Sequence, residues 1–114
     1  METQIGVLLA LALPVVAAGC GATVPDPIVE SSSLEQGTLE SLIGNDATVT
    51  ATVLNNGSAG EVEVTAQFLD SNEVVLGEFS ETANMKQGER RRFSIDVEIP
   101  ENSQELNVTA DAAN

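Results

Sequence analysis

The chain has no His, Trp or Tyr, a single Cys, and four basic residues against eighteen acidic ones in 114 positions. Each shortage removes a class of function. Without His, and with one Cys, neither a Ser-His nor a Cys-His nucleophile–base pair can be built, and zinc sites made of imidazole and thiolate are excluded. One Cys also rules out an intramolecular disulfide, a common stabiliser of small exported domains. The bases are Lys86 and the run Arg90, Arg91, Arg92. Set in a formal charge of −14, they leave no surface that would attract a polyanion. Nucleic acid is not an expected partner, and charge does not hold this chain to anionic lipid.

The abundant carboxylates do not replace the missing chemistry. Asp96 with Glu98, and Glu61 with Glu63, stand two residues apart in alternating segments and read as a solvated strand face rather than an acid–base pair. Asp70, Asn72 and Glu73 offer hard oxygen ligands but not the ordered spacing of a calcium loop. No catalytic residue, cofactor or metal is expected. Acidic excess with few aromatics resembles the proteins of salt-loving archaea, in which molar salt, with a Debye length of about 3 Å, screens the self-repulsion of such a surface. A merely acidic bacterial domain is the alternative.

Residues 5–19, IGVLLALALPVVAAG, form a run of apolar or small residues that ends at Cys20. A membrane span needs about 20 apolar residues, whereas a signal-peptide core needs roughly 7 to 15 followed by small residues at the cut. Residues 1–19 therefore read as a signal peptide, and an uncleaved anchor is the alternative. Ala17-Ala18-Gly19-Cys20 resembles the lipobox of exported lipoproteins, although Ala17 stands where Leu is commonest and Met1–Gln4 contains no base. The resemblance implies a glyceryl lipid on Cys20, and thus attachment to the outer face of the cell membrane.

Residues 20–37 read as the lipidated Cys and a flexible spacer, because Pro25, Pro27 and Ser31–Ser33 interrupt any apolar period. Extended at about 3.1 Å per residue, such a spacer lifts the domain tens of ångströms from the membrane. The domain is expected over residues 38–114. Its first element is an irregular edge strand around Thr38–Ile43, with a short helix as the alternative.

From Ala47 the pattern is period-2. Val49, Ala51 and Val53 alternate with Thr; Val62, Val64, Ala66 and Phe68 alternate with polar residues; Phe93, Ile95, Val97 and Ile99 do so again. Leu106, Val108 and Ala110 mark a last strand over 105–111. Between these, Glu73–Glu81 carries Val74, Val75, Leu76 and Phe79, with Gly77 as a bulge. Asn55-Asn56-Gly57 supplies the positive φ of a hairpin turn, and Asp70-Ser71-Asn72 turns the chain again. The fold class is all-β: a small immunoglobulin-like antiparallel sandwich of about six or seven strands, preceded by a signal helix and a flexible spacer.

The segments Val53–Ser58, Val62–Asp70, Val74–Gly77 and Met85–Glu89 with Phe93 resemble the FxLyD domain and the related CARDB-type adhesion modules. The resemblance covers about residues 47 to 110. It implies an extracellular β-sandwich that binds or spaces, with no catalytic residues. Ala66, Leu69 and Gln87 depart from the Phe, Tyr and Pro of the FxLyD pattern.

Arg90 and Arg92 are expected to point outward and Arg91 to fall on the inner side near the rim. They balance charge on an acidic sheet or dock an acidic partner. Asn56-Gly57-Ser58 and Asn107-Val108-Thr109 satisfy the N-glycosylation pattern, with Asn56, in a turn, the better acceptor. The expected function is a lipid-anchored binding or adhesion module whose partner is another exported protein or envelope component. The alternative is an accessory subunit that positions partners in an envelope transporter or enzyme complex.

Overall fold

Thr, Val and Ala alternate through Ala47–Val53, and that segment is the middle of a sheet in the computed structural model, which describes residues 24–113. The strands are β1 (Pro27–Leu34), β2 (Asp46–Asn55), β3 (Gly60–Leu69), β4 (Val75–Met85), β5 (Arg90–Glu98) and β6 (Glu105–Ala112), with one helical turn, α1 (Leu39–Leu42), after β1. They form two antiparallel three-stranded sheets, ordered β1-β2-β5 and β4-β3-β6. That arrangement matches strands A-B-E and C′-C-F of an immunoglobulin-like sandwich, and the place beside F is open among the described residues.

The core is the set of inward rows that alternation marks. Val49, Ala51 and Val53 from β2, Val62, Val64, Ala66 and Phe68 from β3, and Phe93, Ile95 and Val97 from β5 are buried, and Ile99 closes one end. Leu106, Val108 and Ala110 of β6 pack against this cluster but stay half-buried. Phe79 of β4 meets Phe68 edge to face, with ring centroids 6.1 Å apart at 79°.

Three expectations are corrected. First, the spacer ends early. Residues 27–34, assigned to it on Pro27, the neighbouring Pro25 and the three serines, form β1, paired along β2 from Pro27 opposite Asn55 to Leu34 opposite Val49. The register shifts between Val29 and Ser31, so Glu30 bulges and side-chain parity inverts. Val29 and Leu34, five positions apart, can then both pack on the core, which hides the strand from a period-2 search.

Second, the chain after β1 is not an edge strand. Leu39–Leu42 is a helical turn capped by Thr38, whose hydroxyl accepts from the Ser41 N–H (3.3 Å) while the Ser41 hydroxyl accepts from the Thr38 N–H (2.9 Å). Leu39, Leu42 and Ile43 pack partly buried against the core.

Third, Asn55–Gly57 is not a hairpin turn. β2 and β3 lie in different sheets, so the segment is a crossover, and the positive-φ residues lie elsewhere. The bulge expected at Gly77 falls beside it: Phe68 pairs with Gly77 and Leu69 with Val75, leaving Leu76 as the extra residue. The strand starts at Val75 rather than Glu73, and Val74 and Val75 stand exposed at the tip of the β3–β4 connection.

Candidate functional site

One end of the sandwich gathers the chain entry, the β2–β3 crossover and the β4–β5 turn, and Asn55 joins all three. Its side chain is fully buried, and each of its polar groups is used. The Oδ1 accepts from the N–H of Asp26 and of Gly57, both at 3.0 Å. The Nδ2 donates to the carbonyls of Ser58 (2.9 Å) and Lys86 (3.2 Å). Its own N–H donates to the Glu89 carbonyl and its carbonyl accepts from Gly88. Gly57 is required by space: a Cβ there would lie 2.6 Å from the Val24 carbonyl and from the Asp26 nitrogen.

All four bases lie at or near this end. Lys86 follows the buried Met85 in the turn, and a shallow depression of roughly 620 Å³ lies between Gly60, Met85, Lys86, Glu89 and Arg91. Arg90 grips Glu30 with two hydrogen bonds, from Nε (2.6 Å) and an Nη (3.0 Å). The β1 bulge sets this pair, because Glu30 is the residue that leaves the register. The hydrogen-bonded guanidinium holds the Glu30 carboxyl below its ordinary value, and Glu30 raises Arg90 in turn. Arg92 approaches Glu35 at 3.8 Å. Arg91 stands on the inner side of β5, opposite the buried Val53, but at the rim, where its side chain stays exposed and approaches Glu89 at 3.6 Å. Each Arg thus has a carboxylate of its own domain beside it.

The remaining sequence candidates fall as follows. Cys20 lies outside the described residues. Asn56 and Asn107 are both exposed, but their sequons differ: the Ser58 hydroxyl is buried with no hydrogen-bond partner, whereas Thr109 is exposed. Asp70 is engaged within its own loop, its carboxylate accepting from the N–H of Asn72 (2.8 Å) and Val74 (3.0 Å). Among the described residues no group of three or more Asp, Glu, Cys or His is placed to hold a metal. Asp96 and Glu98 are exposed to solvent on β5, and Glu61 and Glu63 half-exposed on β3.

Sequence reasoning passed over Asn55 because Asn-Asn-Gly reads as a turn wherever it occurs. The available signal was its position: Asn55 continues the inward parity of Val49, Ala51 and Val53, where a polar residue must find partners.

The architecture places the domain among immunoglobulin-like antiparallel β-sandwiches. The family model CARDB matches residues 24–114, and the chain belongs to that family. The match takes in β1, in keeping with the early start of the sandwich. CARDB is a family of non-catalytic β-sandwich domains, typically extracellular. No curated protein and no solved structure matches the chain. Among the described residues, no helix is long and apolar enough to cross a membrane.

Proposed function

We propose that this protein is a non-catalytic binding module held on the outer face of the cell membrane by a lipid on Cys20. The supporting observation is a spacing. Cys20, preceded by the lipobox-like Ala-Ala-Gly, stands four residues before Val24, where the matched domain begins. Four residues reach at most about 14 Å, so a lipid on Cys20 would bring the Asn55 end of the sandwich down to the membrane. The opposite end, with Gly44, Asp70–Val74 and Glu101, would then face outward. The partner is another exported protein or an envelope component. Asn107, with Thr109 open beside it, is the better glycan acceptor of the folded domain.

Replacing Cys20 with Ser tests the tether and the task together. The expected result is release of the protein from the membrane fraction, with partners cross-linked to the native protein lost from that fraction. Retention of the Ser variant in membranes would contradict the lipid anchor. A native protein that cross-links to no specific exported component would contradict the binding role. Cross-links confined to the subunits of one transporter or enzyme complex would favour the accessory reading.

A further inference from the structure

Of the four strands at sheet margins, three carry features that discourage pairing with another chain. β1 starts on Pro27 and bulges at Glu30, β4 bulges at Leu76 beside Gly77, and β5 opens on three Arg residues. β6 has none of these. Glu105–Ala112 contains no Pro, Gly, Lys or Arg, and it pairs with β3 in unbroken register from Glu105 opposite Leu69 to Ala112 opposite Val62.

One bond sets the direction of its free groups. Ala113 donates its N–H to the Glu61 carbonyl at 2.8 Å, and successive residues of an antiparallel strand turn their N–H and C=O to opposite sides. The odd-numbered residues of β6 therefore face β3. Leu106, Val108, Ala110 and Ala112 turn theirs to the open margin, where they make no hydrogen bond to another described segment, although β1 of the facing sheet passes close to β6.

We propose that this margin receives an extended segment of another exported protein as a seventh strand, with a Lys or Arg opposite Glu105 and another opposite Asp111. Charge selects that occupant. The solvent face of the β4-β3-β6 sheet carries Glu61, Glu63, Glu78, Glu105 and Asp111, while the three Arg residues belong to β5 of the facing sheet. A second copy laying its β6 antiparallel along this one would set Glu105 against Asp111 at both ends, a destabilising like-charge pairing. Inward, Leu106, Val108 and Ala110 are only half-buried, so the incoming strand must place apolar residues at alternate positions beside them. The pattern that fits is basic, apolar, polar, apolar, polar, apolar, basic. This inference rests on the reading of the domain as a binding module.

The test uses the full chain in detergent and two capped peptides, Lys-Val-Thr-Val-Thr-Val-Lys and the same peptide with Glu at both ends, read by residue-resolved amide hydrogen exchange. With the Lys peptide at about ten times its dissociation constant, exchange at Leu106, Val108, Ala110 and Ala112 slows about tenfold, and the Glu peptide leaves it unchanged. Ala110→Pro removes one outward N–H and no bond to β3, so it abolishes the slowing while the other β3–β6 amides stay protected. The double change Glu105→Lys, Asp111→Lys reverses the peptide preference, which keeps the idea testable if the Pro variant unfolds.

Outward amides already protected in the free monomer would overturn the proposal in favour of a strand from the chain's own undescribed residues. Protection that grows with protein concentration and a doubled mass would overturn it in favour of a second copy. So would a Lys peptide that fails to slow exchange. If membrane cross-links to exported partners persist in that last case, only the docking edge is lost and the binding role stands.

Discussion

Asn55 shows how a single polar side chain can hold three segments that β pairing leaves separate. Asn55→Ala abandons the Asp26 and Gly57 N–H groups and two carbonyls in a buried place, at a cost of about 2–4 kcal/mol, measured as the shift in urea unfolding. Asn55→Asp is expected to be worse near neutral pH, because a carboxylate cannot donate to the Ser58 and Lys86 carbonyls. A loss no greater than that of an exposed Asn would contradict this role of Asn55. Gly57→Ala is expected to destabilise by roughly 1–3 kcal/mol, since backbone atoms on the facing segment must give way.

The Glu30–Arg90 pair carries a signed pH dependence. Glu30 is depressed in the folded state, so its contribution is fully present above its unfolded value and is lost as pH falls through the lower folded one. Both groups are exposed, which keeps the contribution small. Comparing the native chain with Arg90→Gln by urea unfolding, the gap between them should close once the pH passes below about 4. A gap that widens in acid would contradict the pairing.

At the scale of elements, β2, β3, β5 and β6 were legible because each repeats its apolar residues every second position with one face toward the core. The inward rows inferred for these four strands are the rows that the core contains. β1 was not legible, because the Glu30 bulge inverts parity halfway along and Pro27 with three serines suggests a spacer. The crossover at Asn55 was read as a hairpin because local turn chemistry does not say which sheet the next strand joins. α1 was ambiguous because one helical turn is too short to show a period.

Deleting Glu30 tests the bulge. It would restore an even register and throw either Val29 or Ser32 and Leu34 to the wrong face. The expected cost is about 1–3 kcal/mol in unfolding free energy, against almost nothing for a deletion that left pairing unaffected.

For the whole molecule, charge dominates. Of the seventeen Asp and Glu after Cys20, the majority stand away from the four bases, which cluster at Lys86 and Arg90–Arg92. Raising NaCl from about 0.1 to about 2 M is expected to raise the thermal midpoint by screening that repulsion, and a midpoint that falls would count against it. Of the proposed features, the sequence suggests the tether, because Cys20 and its small neighbours are a linear motif, while the proposed docking edge depends on which strand the fold leaves unpaired. The measurement that bears most directly on the proposed lipid tether is intact mass spectrometry of the protein extracted from membranes. The expected species is a chain that begins at Cys20 and weighs more than residues 20–114 by a glyceryl lipid; a chain that begins at Met1, or a free Cys20 thiol, would contradict the lipid anchor.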